Sequence, residues 1–327
     1  MAGRGNINSN MPNQQAAAGD VDVVFLHDAT GSQQPYLTSA RKFAIDRIKV
    51  YQAGIKSPAS VRFRVVAFRD HREQGDAWMV DDTQPFTFDR GEVEAQLARL
   101  VASGGGDGPE AQLDALDAVR RSAWRRGAAR IVIMITDSPP HGLESADYPA
   151  SHPKGLKPNT IIQDFRDSKI SLFVVGCVPT INSYGHAVSY YKDFCQKTLG
   201  RYAELPNPSS SSKLMDSALV GSMLHATDTA RIERRWEGWI RDKADHGHGA
   251  IATAIHSKLS SEGEECHELS CSSHGGHDIK YHSGPVSRAR VDEIVAKALS
   301  ASESRMVSTM DDFDDALFGA AAAQGRW

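Results

Sequence analysis

Four short apolar runs constrain this chain more than any other feature: "VDVVFLH" (21–27), "VRFRVVAFR" (61–69), "IVIMIT" (131–136) and "ISLFVVGC" (170–177). Each has strand length. Three are nearly continuous in Val, Ile, Leu and Phe, as strands buried on both faces must be. Between them lie amphipathic stretches of helical length at Glu92–Leu100, Pro109–Trp124, Thr160–Asp167 and His186–Leu199. An earlier helix is expected from Pro35, where Leu37, Ala40, Ala44, Ile48 and Tyr51 repeat at helical spacing until Gly54 and Pro58. Strands alternating with helices predict an α/β fold: a Rossmann-like, doubly wound, mostly parallel sheet covered by helices. A weaker strand follows at Arg201–Leu205. Ala77–Val80 or Phe86–Phe88 is expected to add one antiparallel edge strand beside the second run.

The sheet signals occupy residues 20–226, which read as one domain. Residues 1–19 are small and polar, the composition of a disordered arm. Residues 227–327 read as a partly helical C-terminal region with low-complexity loops. Its clear helix lies at 286–300, where Val291, Ile294, Val295, Ala298 and Leu299 share a face. "CHELSCSSHGGH" (266–277) carries Cys and His, but at spacings that match no zinc pattern, and it is expected to be a loop. The end, "DDFDDALFGAAAAQGRW", is an acidic-hydrophobic tail.

Bulk properties exclude some partners. A formal net charge of -4 gives no reason to expect nucleic acid or an anionic membrane surface. No apolar run approaches the ~18 residues that cross a bilayer. Four scattered cysteines are too few for a disulfide scaffold. The expected setting is intracellular, in the cytoplasm, with no leader segment.

In an open parallel sheet, ligands bind beyond the carboxyl ends of the strands. Three oxygen-rich segments map there: "DATGS" (28–32) after the first strand, "SGGGDGPE" (103–110) before a helix, and "ITDSPPHG" (135–142) after the third long run. Asp28, Thr30, Ser32, Asp107 and Asp137 together offer carboxylate and hydroxyl oxygens, the donors that a hard cation such as Mg²⁺ or Mn²⁺ takes. The alternation Asp-x-Thr-x-Ser would let an extended segment present all three side chains on one side. Asp107 has two readings, as a metal ligand or as the N-cap of a capping box with Pro109 and Glu110. "FRDHREQGD" (68–76) leaves the second strand on the same edge. Asp70 and His71 there could stand beside the site, as could His141, and Asp70 and Glu110 are candidates to support it, although an ion-paired turn among Arg69, Arg72 and Glu73 is the favoured reading of the segment.

"DATGS", "GGGDGPEAQLDAL" and "ITDSPP", in this order and spacing, resemble the von Willebrand factor A domain family and its metal-ion-dependent adhesion site. The family pattern is Asp-x-Ser-x-Ser, a Thr in a glycine-rich loop, and an Asp ending the fourth strand. Here Thr30 stands for the first Ser and Asp107 for the loop Thr, a version similar to the A domains associated with atypical alpha-kinases. The resemblance implies a Mg²⁺-dependent protein-interaction module whose metal accepts an Asp or Glu carboxylate from a partner, without enzymatic activity. Two alternatives remain. A Mg²⁺-dependent phosphatase of the haloacid dehalogenase class would place a strand-end Asp similarly, but its second Asp is replaced by Thr30. A scaffold with a degenerate metal site is the other.

Overall fold

The structure, a computed structural model, describes residues 6–12, 20–37, 61–143, 152–206, 212–271 and 279–300. The tail, His274, His277 and most of the helix expected after Pro35 lie outside the described residues.

Six strands form the main sheet: β1 (Val21–Asp28), β2 (Val61–Phe68), β3 (Val80–Asp81), β4 (Ala129–Thr136), β5 (Ile170–Cys177) and β6 (Tyr202–Leu205), in the order β3-β2-β1-β4-β5-β6. All neighbours are parallel except β3, which runs antiparallel to β2. Both candidate edge segments meet β2: Val80 and Asp81 pair with Phe68 and Ala67, and Thr87 bridges to Phe63.

Because side chains alternate across a strand, each central strand feeds two cores. Val23, Phe25, Phe63, Ile131 and Ile133 face one, closed by Val93 and Leu97 of α1 (Arg90–Ala98). Val24, Leu26, Val132, Met134, Leu172 and Val174 face the other. That side is covered by Leu113 and Leu116 of α2 (Gln112–Arg120), Ile161 and Phe165 of α3 (Pro158–Asp167), and Tyr191 and Phe194 of α4 (Ala187–Lys197). Each fully buried large side chain contributes roughly 1.5–3 kcal/mol. These two layers explain why the apolar runs are almost unbroken.

At the amino end of the sheet, Asp22 is fully buried and accepts a two-point contact from Arg62 (2.9 and 2.7 Å). It also accepts from the backbone N–H and Nε of Arg125, both at 2.8 Å. Burial pushes its carboxyl up, but these contacts outweigh it and hold the group below its ordinary value.

A long helix, α5 (Ser212–Asp242), follows β6. Of the segment expected to be a loop, residues 272–277 lie outside the described residues. Its first half, residues 266–271, instead lies in a strand, β7 (Glu265–Cys271), which pairs with β8 (Ile279–Pro285) in a two-stranded sheet. Its strands carry few apolar residues, so the sequence pattern is faint. Tertiary bonds supply what the pattern lacks. Asp228 Oδ2 accepts from the His267 N–H at 2.8 Å, His225 Nδ1 accepts from the Leu269 N–H, and Leu269 joins the core cluster holding Met223 and Ala226.

The chain divides into two compact units, with the division falling within α5. The larger contains residues 16–231 and 265–284. The smaller contains residues 1–15, 232–264 and 285–327. Its described core is Trp236 and Ile240 of α5, Ile251, Ile255 and Leu259 of α6 (His248–Ser261), and Val291, Ile294 and Val295 of α7, the expected helix, here at 288–300. Arg235 grips Glu262 (2.7 and 2.8 Å), and Lys297 meets Glu233 at 3.1 Å. In the stretch read as a disordered arm, residues 6–12 form a turn whose Ser9 carbonyl accepts from Trp239 Nε1 at 3.1 Å.

Candidate metal centre

The strand order reverses between β1 and β4, so their carboxyl ends open side by side. Asp28 closes β1, and Thr136 closes β4 just before Asp137. Asp28 is fully buried. Its Oδ1 accepts from the Thr30 N–H (3.0 Å) and Oγ1 (2.6 Å), while Oδ2 accepts from Thr136 Oγ1 (2.8 Å) and Ser138 Oγ (3.3 Å). Thr30 Oγ1 stands 3.3 Å from Ser32 Oγ, which donates to Asp137 Oδ1 at 3.0 Å. A continuous chain of oxygens therefore joins the ends of two adjacent strands.

A single extended segment does not align the three side chains. Thr30 is extended, but the chain then turns into a 3-10 helix at Gly31–Gln33, and that turn brings Ser32 back toward Asp137. Gly31 fixes the turn by donating to the carbonyl of Gly104 at 3.1 Å.

Burial and the neighbouring Asp137 charge push Asp28 up from 3.8 to about 6, against the hydrogen bonds of Thr30 and Thr136. Burial likewise raises Asp137. Glu110 is more extreme. It is buried, its Oε2 has no hydrogen-bond partner among the described residues, and it faces the charges of Asp28, Asp70, Asp76 and Asp107. Burial and those charges push it to about 11, so it is protonated at neutral pH. The donors around Asp28 are all oxygen, two of the groups are acidic, and their charge is crowded. That set fits a hard divalent cation.

The glycine-rich loop differs from expectation. Its helix begins at Gln112, with Ala111 as N-cap, so Asp107 does not cap it. Glu110 instead bridges to Pro140: its N–H donates to the Pro139 carbonyl, and its own carbonyl accepts from the His141 N–H. Ala111 donates to the Arg69 carbonyl. These bonds hold residues 110–111 in a bridge between two strand-end loops and postpone the helix. Asp107 is partly exposed, accepts from Gln74 Nε2 at 2.8 Å, and has Oδ1 4.0 Å from His141 Nε2. Gly104 and Gly105 have φ of 81° and 86°, letting the loop wrap the buried Asp76, which accepts from the Gly105 N–H at 2.8 Å.

The ion-paired turn among Arg69, Arg72 and Glu73 is not what forms. Arg72 and Glu73 are exposed, while Asp70 and His71 are buried. Arg69 lies over Trp78 and donates to the carbonyls of Ala29 and Val101. Asp70 Oδ1 accepts from the His71 N–H (2.7 Å) and contacts His141 Nε2 (2.6 Å). His71 Nε2 lies 3.0 Å from Asp114 Oδ2, which also meets His152 Nε2 at 2.7 Å, and Lys154 reaches Asp114 Oδ1 at 2.7 Å. Burial pushes Asp114 up, but the bonds from His152, His71 and Lys154 override it and hold the carboxyl well below the carboxylate range. Asp70, His71 and His141 form one compact group of possible metal ligands, and His71, Asp114 and His152 form a second. Sequence reasoning missed Asp76, Asp114 and His152. Asp114 sits inside an amphipathic helix, and His152 lies in an unpatterned loop.

The family model for the von Willebrand factor type A domain matches residues 22–209. An alpha-protein kinase, vwkA of Dictyostelium discoideum, is 29% identical over 162 residues, covering 47% of this chain and 24% of its own length. This chain thus spans about a quarter of that relative. A solved von Willebrand factor type A structure from Catenulispora acidiphila aligns over 63% of this chain and 43% of its own, at 18% identity and a TM-score of 0.40. With the family model covering more than half of the residues, the chain belongs to the von Willebrand factor type A domain family.

Proposed function

We propose that this protein is a metal-dependent interaction module, with Asp28, Thr30, Ser32 and Asp137 holding Mg²⁺ or Mn²⁺ and a partner protein supplying an Asp or Glu carboxylate. Domains of this family generally mediate protein–protein interaction. The observation that carries the finer reading is the hydrogen-bonded run Asp28–Thr30–Ser32–Asp137, an all-oxygen set at adjacent strand ends. When bound, the cation would supply a positive charge to which an incoming carboxylate can be attracted. The chain's own residues do the rest. Asp28 is oriented by four hydroxyl or amide donors, and Ser32 positions Asp137.

The enzyme reading lacks its general acid, because residue 30 is a threonine. Nor does Cys177 offer a nucleophile: burial and the charges of Asp137 and Asp28 push its thiol well up.

Isothermal titration of the full chain with Mg²⁺ and Mn²⁺ tests the first half. The expected result is saturable binding that disappears in Asp28→Asn. Capture of acidic peptides with metal and with chelator tests the second half, and is expected to need the metal. No heat in wild type would point to a scaffold with a degenerate site. Metal-dependent phosphoryl turnover abolished by Asp28→Asn would establish the enzyme reading instead.

A further inference from the structure

We infer that Asp70, His71 and His141 form a second divalent-cation site, suited to Zn²⁺, with Asp107 at its mouth. This inference does not depend on whether the oxygen cradle at Asp28 binds Mg²⁺.

The side chains of Asp70 and His141 are fully buried, and that of His71 is 2% exposed. One ligand atom from each lies within 4.8 Å of the others. The tautomer of His71 supplies the second observation. Its Nε2 is engaged by the ionised carboxylate of Asp114 at 3.0 Å, so the proton belongs on Nε2 and the lone pair on Nδ1. That Nδ1 is buried and has no hydrogen-bond partner among the described residues. A carboxylate holding one ring nitrogen so that the other is presented is the usual support of a metal-bound histidine. Without a cation, the orientation leaves a buried acceptor unsatisfied, which costs roughly 1–3 kcal/mol.

The rings of His71 and His141 stack with centroids 4.7 Å apart, placing both imidazoles beside Asp70. His141 Nε2 and Asp70 Oδ1 are 2.6 Å apart, a distance that requires a shared proton. Tetrahedral ligands at about 2.0–2.1 Å from Zn²⁺ stand about 3.3 Å from each other. Exchanging that proton for the cation therefore asks the pair to separate by about 0.7 Å and releases the proton to solvent. Asp107 Oδ1, 4.0 Å from His141 Nε2, is 31% exposed at the side chain and supplies both a fourth donor and a path from water. Two imidazoles with carboxylates favour a borderline cation such as Zn²⁺ over Mg²⁺, which prefers oxygen alone. The second histidine group is a weaker candidate. There His152 Nδ1 accepts from the Lys154 N–H, which puts the proton on Nε2, and the Lys154 ammonium already neutralises Asp114.

The test uses the full chain, stripped with chelator and held in saturating Mg²⁺ so that the oxygen cradle is occupied if it binds. Zn²⁺ affinity is read by competition with a chromophoric chelator, and Co²⁺ is added separately as a visible-absorption probe of nitrogen ligation. Wild type is expected to bind one Zn²⁺ that His71→Gln or His141→Gln removes, to give a Co²⁺ d–d band, and to weaken by about tenfold or more in Asp107→Asn. Asp114→Asn, which frees the His71 tautomer, is expected to cost ~10–100-fold. His248→Gln, at an exposed histidine, controls for adventitious binding and is expected to change nothing. Near-ultraviolet circular dichroism verifies folding. If the histidine variants do not fold, Asp107→Asn, at a partly exposed position, decides. A wild type with no tight Zn²⁺ would overturn the inference, as would Zn²⁺ affinity and a Co²⁺ spectrum unchanged in folded His141→Gln or in Asp107→Asn.

Discussion

Replacing Asp28 by asparagine is expected to stabilise the metal-free protein while removing its response to Mg²⁺. Asp28 is fully buried, and its carboxyl is held at about 6 rather than 3.8. At neutral pH it is nonetheless ionised. At 1.36 kcal/mol per pH unit, keeping that charge buried costs ~3 kcal/mol relative to the unfolded chain. Asparagine keeps the shape and discards the charge. Its amide oxygen can still accept from the Thr30 N–H and hydroxyl, and its amide nitrogen can donate to Thr136 Oγ1 and Ser138 Oγ, since hydroxyls both donate and accept. No hydrogen bond need be lost.

The sign follows from proton counts. Between pH 3.8 and about 6 the native state binds more protons at this site than the unfolded state, so wild-type stability falls as pH rises through that window. The advantage of Asp28→Asn is therefore absent below about pH 4 and complete above about pH 6. For a unit of this size, ~3 kcal/mol corresponds to roughly 6–12 °C in melting temperature, an upper bound. Mg²⁺ at 100 times its dissociation constant should raise wild type by ~2.7 kcal/mol and leave the variant where it was. Differential scanning calorimetry at pH 4 and pH 7.5, with chelator and with Mg²⁺, separates these terms. A variant that melts below wild type in chelator at pH 7.5, or that still responds to Mg²⁺, would refute the argument.

Other outcomes follow from single sites. Asp22→Ala should destabilise by ~3–5 kcal/mol in urea titrations, because it leaves Arg62 and Arg125 facing a buried gap. The lowered carboxyl of Asp22 means this contribution is present at neutral pH and lost as pH falls through the acid range, so the wild-type and Asp22→Ala curves should converge in acid. Gly104→Ala puts a methyl 1.8 Å from Asp76 Oδ1 at a φ of 81°, and should lower the melting temperature by several degrees and weaken Mg²⁺ binding in titration. Glu110→Gln should be nearly neutral in chelator at pH 7 by calorimetry, since the acid is already protonated there.

The fold was readable because burial on both faces leaves a signature that no surface element imitates. β5 falls at Ile170–Cys177, where its apolar run predicts it, and β1, β2 and β4 differ from their runs by one or two residues at an end. Asp28, Thr30, Ser32 and Asp137 were legible as strand-end oxygens, and the structure joins them. The β7–β8 pair was not, because its few apolar residues give no period and it forms through Asp228 and His225 of a distant helix.

Asp107 marks the boundary between local and global information. Its sequence neighbourhood is a good capping box, yet the bridge of Glu110 to Pro140 moves the N-cap four residues on, to Ala111. Asp70, His71 and His141 could be placed near the site from the sequence, but their joining with Asp114 and His152 into one buried network was invisible along the chain, since its members come from four separate segments. Apolar periodicity is a property of neighbours in sequence, so the sequence alone determined the sheet, its helices and the edge where the oxygens gather. Which carboxylates meet which histidines, and which stay buried without a partner, depends on strand order and loop pairing, and only the tertiary structure decided it.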